Sequence, residues 1–222
     1  MSSKLVGIIG DTGSGKSSAI QHLDPKETYI INVAGKELPF KGSEKLYNEE
    51  SKNYCVLETP KEVTEKIQKI SEKAPHIKNI VIEDGNYLFG FTMVDKATEV
   101  GYTKFSLMAQ HMKNLVQASK KLRGDIVVFY LSHYEEVEDS GEIITYKIKT
   151  SGKLVDKELK FDGLFTTVIY SISEGKDETP DYIFLTRRYK KFPAKTPMGM
   201  FKELKINNNL QLVRDTVTEY YK

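Results

Sequence analysis

Residues 5–18 read LVGIIGDTGSGKSS, a short aliphatic run that leads into a glycine-rich loop with one lysine and three serines. The run Leu5–Ile9 has the length and composition of a buried strand, and Lys16 through Leu23 reads as the helix that follows, closed off before Asp24-Pro25. Between them Gly10, Gly15, Lys16 and Ser17 satisfy the spacing G-x-x-x-x-G-K-[ST]. Each part of that spacing has a physical reason. Glycines let backbone N–H groups wrap a β-phosphate, and Lys16 reaches the β and γ oxygens. Ser17 can ligand Mg²⁺, and a helix starting there presents its positive end. The candidate nucleotide cradle is therefore Gly10, Asp11, Thr12, Gly13, Ser14, Gly15, Lys16, Ser17 and Ser18.

Such a loop needs an acid at the end of a neighbouring hydrophobic strand to hold the metal shell. The stretch NIVIEDGNYLF, residues 79–89, reads as a strand of aliphatics with Glu83 and Asp84 after it. Strand alternation points these two acids to opposite faces, so one of them faces the magnesium; Glu83, directly after the aliphatic run, is favoured, with Asp84 close behind. A third polar position is Ser132-His133, at the end of the apolar run IVVFYL. There His133 can donate to a phosphate oxygen and serve as a sensor of the γ-phosphate or attacking water. His22, His76 and His111 lack metal-ligand spacing and read as structural.

The 222 residues fit one α/β domain spanning 1–222, with a nucleotide-binding core to about residue 135 and an extension over 136–222. Hydrophobic content of 39% and charged content of 29% describe an ordinary globular chain. No apolar stretch reaches membrane-spanning length, and the N-terminal apolar run is too short for a signal peptide, so a cytoplasmic protein with no membrane partner is expected. The single Cys55 cannot form an internal disulfide and reads as core filler. A net charge of +2 exerts no global pull on nucleic acid, so such a partner must meet a local patch.

Helix and strand alternate through the first 133 residues. TYIINVAG (28–35) is a strand, followed by a polar excursion to about Asn53 and a short strand in YCVLET. Thr59-Pro60 reads as a helix cap, Val63, Ile67 and Ile70 as the buried stripe behind it, and Tyr102–Leu122 as a longer helix. IVVFYLSHYEE is another strand. This order implies a mainly parallel sheet flanked by helices. EIITYKIKT, GLFTTVIYSIS and DYIFLTRRY then follow as strands without intervening helices, an antiparallel C-terminal extension, and a helix over about Asn209–Tyr221 closes the chain.

Three classes of P-loop protein compete for this sequence. A GTPase needs a guanine-reading N-K-x-D, which does not occur here. A nucleotide or nucleoside kinase needs an acceptor pocket and clamping arginines, and only Arg187 and Arg188 lie together. The third class is the RecA-like ATPase. The order GDTGSGKSS, IVIEDGNYL, VVFYLSH, YKIKTSGK and AKTPMGMF resembles the small phage-encoded RecA-like P-loop ATPases, some of which are implicated in single-strand annealing and recombination.

The resemblance implies a RecA-like P-loop NTPase core and binding of ATP and Mg²⁺ at Lys16 and Ser17. Glu83 or Asp84 would then be the second acid and His133 the sensor. It further implies hydrolysis of ATP, action on single-stranded DNA, a possible single-strand-binding protein as partner, and assembly into rings or filaments. The water-activating glutamate of the wider pattern is displaced: Glu37 in GKELPF and Glu58 in YCVLET are the candidates, so a nucleotide-dependent assembly protein with little turnover stays open. With the loop starting at residue 10, any subunit contact is expected from the core itself.

Two basic stretches fall in the extension. Lys147 and Lys149, two apart and thus on one face of a strand, belong with Lys153, Lys157 and Lys160 to a lysine-rich segment. It could track nucleic acid, reach a neighbouring subunit's nucleotide, or simply protect a sheet edge. In RRYKKF, Arg187, Arg188, Lys190 and Lys191 surround Tyr189 and Phe192, a composition suited to neutralising phosphates while bases stack.

Overall fold

A computed structural model describes residues 2–99, 101–151, 153–176 and 179–222; Gly152 and the side chain of Lys153, both in the lysine-rich segment, lie outside the described residues. The strands are β1 Lys4–Gly10, β2 Thr28–Asn32, β3 Tyr54–Val56, β4 Asn79–Glu83, β5 Val127–Ser132, β6 Tyr134–Asp139, β7 Glu142–Ile148, β8 Thr167–Lys176, β9 Thr179–Leu185 and β10 Lys205–Asn207. Eight of them form one sheet in the order β10-β9-β8-β1-β5-β4-β2-β3, while β6 and β7 make a separate antiparallel pair. β1 lies parallel to both β5 and β8, β4 parallel to β5 and β2, and β2 parallel to β3. The expected class is what folds: a mainly parallel sheet flanked by helices, with an antiparallel part at one side.

The helices are α1 Ser43–Leu46, α2 Pro60–Lys73, α3 Tyr87–Asp95, α4 Thr103–Ser119, α5 Lys153–Glu158 and α6 Leu210–Tyr220. Alternation along each strand supplies two cores. On one face Leu5, Ile9, Ile31, Ile80, Ile82 and Tyr130 pack with Val63, Ile67 and Ile70 of α2 and Met108, Met112 and Leu115 of α4. On the other, Val6, Ile8, Ile30, Val81 and Phe129 pack with Ile20 and with Leu210, Val213 and Val217 of α6. Thr59 caps α2 as expected, its Oγ1 accepting from Glu62 N at 3.3 Å and donating to Glu62 Oε2 at 2.7 Å. Asn209 caps α6 through Leu212 N. No helix of the described residues is long and apolar enough to cross a membrane.

Four expectations need correction. The segment Lys16–Leu23 folds no α-helix, only the 3-10 turn Ser18–His22: eight residues before Asp24-Pro25 leave little length for a helix, and β2 already begins at Thr28. Strand alternation does not carry through both acids: the aliphatic strand β4 ends at Glu83, Asp84 takes a left-handed φ of 56°, and Tyr87 already belongs to α3. IVVFYLSHYEE also divides, at His133, its second half leaving the main sheet as β6. Finally, the run after β7 is not uniformly antiparallel. α5 and the 3-10 turn Phe161–Leu164 intervene and form the crossover that lets β8 enter parallel to β1; antiparallel pairing begins only with β9 and β10.

Candidate functional site

The glycine-rich loop follows β1 in the middle of the sheet, and its shape depends on residues without side chains. Gly13 and Gly15 have φ of 75° and 87°, in the left-handed region that side chains disfavour. Gly10 is required by crowding: a Cβ there would stand 2.4 Å from Ser14 Oγ and 2.6 Å from the Ser171 carbonyl oxygen. The Asp11 carbonyl gathers the loop, accepting from Ser14 Oγ at 2.8 Å and from Lys16 Nζ at 2.7 Å. Lys16 is buried, and burial lowers its pKa against the pull of Glu83 and Asp84. From β8, Ser171 Oγ donates to Ser14 O at 2.6 Å and accepts from Asn208 Nδ2 at 3.1 Å, which straps the loop to the sheet. Asp11, Thr12 and Gly13 form the exposed rim, and Ser18 opens the 3-10 turn.

Glu83 ends β4 and accepts a hydrogen bond from Ser17 Oγ through Oε1. Its Oε2 is buried with no hydrogen-bond partner among the described residues. Burial, and then the charge of Asp84, push the carboxyl up to about 7. Asp84 is also buried, but its left-handed backbone turns it away from Ser17: Lys36 Nζ lies 2.6 Å from its Oδ2 and His133 Nε2 3.6 Å from its Oδ1. The turn is tight at Gly85, where a Cβ would sit 2.4 Å from the Tyr130 ring.

His133 reaches the same cluster because β5 is the neighbour of β1, with Ser132 paired to Ile9. Its backbone N–H donates to Asn86 Oδ1 at 3.0 Å. Burial, and then the charge of Lys16, lower its pKa below the usual 6.5, so the imidazole is neutral at pH 7. The Lys149 N–H donates to the His133 carbonyl at 2.9 Å, which sets Lys149 beside the cluster. Lys36 is the residue sequence reasoning missed. Nothing in GKELPF, where Glu37 is the candidate acid, indicates that the lysine crosses to an acid at the end of another strand.

The structure does not bring Glu37 and Glu58 to the loop. Glu37 is exposed and lines a separate cavity of about 350 Å³ with Leu38, Tyr47 and Tyr54. Glu58 is exposed beyond β3, four strand positions from β1, or roughly 19 Å at about 4.8 Å per strand. Lys147 is neutralised by Glu135 at 2.8 Å and by Asp156. Arg187, Arg188, Lys190 and Lys191 are all exposed, grouped on the turn where Tyr189 bridges to Phe192. Phe192 is taken up inside the protein, stacking on Tyr146 at 4.7 Å and packing against Tyr134 and Tyr170, while Tyr189 lies beneath the Lys190 and Lys205 ammonium groups. The base-stacking part of that reading is corrected accordingly.

The donor set fits a magnesium nucleotide. A hydroxyl and a carboxylate already touch, one carboxylate oxygen is buried and unpartnered, and a buried lysine rests on a loop carbonyl. Magnesium keeps most of its shell as water and phosphate oxygens and takes only one or two protein ligands, here Ser17 and Glu83.

No protein-family model matches the chain, and no curated protein sequence matches it. Among solved structures, the chain is similar to a KaiC-like protein from the hyperthermophilic archaeon Pyrococcus horikoshii, at 12% sequence identity and a TM-score of 0.47, over 87% of this chain and 82% of that one.

Proposed function

We propose that the chain is a RecA-like ATPase that binds ATP and Mg²⁺ in its glycine-rich loop and acts on single-stranded DNA in phage recombination or annealing. The observation that carries the nucleotide part is the meeting of Ser17 with Glu83, whose second oxygen is buried and unpaired. Lys16 would hold the β and γ oxygens, and Glu83 would order the metal shell. His133, neutral and next to Asp84, would donate to the γ-phosphate or hold the attacking water. Magnesium, when bound, offsets charge developing on the phosphate oxygens.

The DNA part rests on Arg187, Arg188, Lys190 and Lys191, exposed together on one turn, with Lys149 near the nucleotide cluster. A single-strand-binding protein as partner and assembly into rings or filaments belong to the same reading. A phosphotransferase is the second reading, favoured by the 350 Å³ cavity on whose wall Lys36 stands while its amino group touches Asp84.

The decisive assay is ATP hydrolysis with and without single-stranded DNA, with Lys16→Ala as the blank. Stimulation by DNA is expected; phosphate transfer to a nucleoside or nucleotide, indifferent to DNA, would establish the second reading. Joint alanine replacement of Arg187, Arg188, Lys190 and Lys191 should lower the slope of log affinity on log salt by roughly 3, at about 0.7 per single-strand phosphate contact. An unchanged slope leaves the turn as plain surface.

A further inference from the structure

The flank of β1 away from the acids carries an aromatic ring that the nucleotide reading leaves unused. β8 and β9 run on past the end of β1: Gly10 pairs with Ser171, while Tyr182 on β9 faces Ser173, two residues further out. There the Tyr182 side chain lies directly on the loop. A Cβ at Gly15 would stand 2.7 Å from Tyr182 Cγ and 2.9 Å from its Cβ and Cδ1. The residue nevertheless stays 40% exposed. Tyr134, near enough to the loop for the Asp11 charge to act on it, is engaged with Tyr146, Tyr170 and Phe192.

The two flanks give a bound nucleotide a direction. Ser17, Glu83 and His133 define the γ end, on the side of β4 and β5. Phosphates threaded along the loop from that end leave the α-phosphate and nucleoside to emerge on the side of β8 and β9. An aromatic ring anchored on the loop's own glycine, and 40% exposed, stands on that side.

We propose that Tyr182 is the platform on which the base of the nucleotide stacks, a role that rests on the nucleotide reading above. Stacking uses the π-face that every base has, so the ring would select for a nucleoside and not for a particular base. The packing on Gly15 would also couple base binding to the phosphate loop, since the ring and the loop backbone cannot shift independently.

Calorimetry with two ligands tests this. Tyr182→Ala should weaken ATP binding roughly tenfold and leave inorganic tripolyphosphate within about twofold, while Tyr182→Phe restores ATP affinity. The chain has no tryptophan, so Tyr182→Trp installs a single indole that can be excited selectively over the tyrosines, and its emission should be quenched by ATP and unaffected by tripolyphosphate. Equal weakening of both ligands in Tyr182→Ala would reduce the ring to a prop for Gly15 and overturn the platform. So would ATP affinity that does not change. Lys16→Ala should abolish binding of both ligands; if the unaltered chain bound neither, the nucleotide reading would fall and the platform with it, an outcome separate from a failure of Tyr182 alone.

Discussion

On its β5–β4 flank the glycine loop meets charge, and on its β8–β9 flank it meets neutral groups. The first flank holds Glu83, Asp84, Lys36 and His133 around Lys16, with Glu83 pushed up to about 7 and one of its oxygens unpaired. The second holds Ser171 in a hydrogen bond to the loop, Asn208 in a hydrogen bond to Ser171, and the Tyr182 ring on Gly15. A buried carboxylate without a full set of partners costs stability by itself and gains it when a cation arrives. Satisfied neutral hydrogen bonds and ring contact do neither. One flank is thus left incomplete for a cation, while the other buttresses the loop whether or not a nucleotide is bound and keeps a ring partly exposed.

The strongest way to break this division is to attack the buttress at its contact with the loop. Gly15→Ala must both hold an alanine at φ of 87° and push its methyl into the Tyr182 ring. Its cost should be about 2–4 kcal/mol in urea unfolding, combining backbone strain with overpacking. Gly13→Ala is the internal reference, because Gly13 shares the left-handed φ of 75° but has open space around it. That variant should lose only about 1–2 kcal/mol. Equal losses at the two glycines would mean that the ring does not bear on the loop.

Next in size is the charged flank. Glu83 takes up a proton on folding between its ordinary 4.5 and about 7, because its carboxyl is raised in the native state. The native chain therefore binds more protons than the unfolded one across that window, and ligand-free stability should fall as pH rises from 4.5 through 7. Glu83→Gln should flatten that part of the stability profile and leave the ligand-free chain more stable at pH 8 than the unaltered one. The same variant should lose magnesium-dependent nucleotide affinity by tenfold or more, and in the unaltered chain that affinity should rise with pH through about 7 and then level off. A stability profile unchanged by Glu83→Gln would remove the carboxylate as the source of the flank's instability.

The loop and its acids were legible in the sequence because both depend on local pattern. Gly10, Gly15, Lys16 and Ser17 carry fixed spacing, and an aliphatic run ending at Glu83 needs only strand periodicity to be read. His133 was legible for the same reason, as the end of another apolar run. What stayed hidden depends on strand order. Parallel pairing of β8 with β1 puts Ser171 against Gly10 and brings Tyr182 over Gly15, yet these residues are more than 150 positions apart from the loop and lie in a run that reads as antiparallel. Lys36 was hidden likewise, since its link to Asp84 requires β2 and β4 to be neighbours. Phe192 misled in the opposite sense. An aromatic between cations suggests a nucleic-acid contact, but its fate was decided by Tyr146 on the β6–β7 hairpin, which no local pattern announces.

The smallest expected effect comes from the strap on the neutral flank. Ser171 is fully buried; its hydroxyl donates to the Ser14 carbonyl and accepts from Asn208. Ser171→Ala leaves the Ser14 carbonyl without that donor, but Asn208 is only half-buried and can turn to water. A loss of about 1–2 kcal/mol in stability follows, the usual cost of a removed hydrogen bond with one partner left inside. The pH dependence assigned to Glu83 should be untouched, because Ser171 neither titrates nor shares a partner with the carboxylate. In a double-mutant cycle Ser171→Ala and Glu83→Gln should add within about 0.5 kcal/mol, as sites without common contacts do. A larger coupling would show that the loop transmits strain between its flanks, so that the buttress and the incomplete site act as one unit.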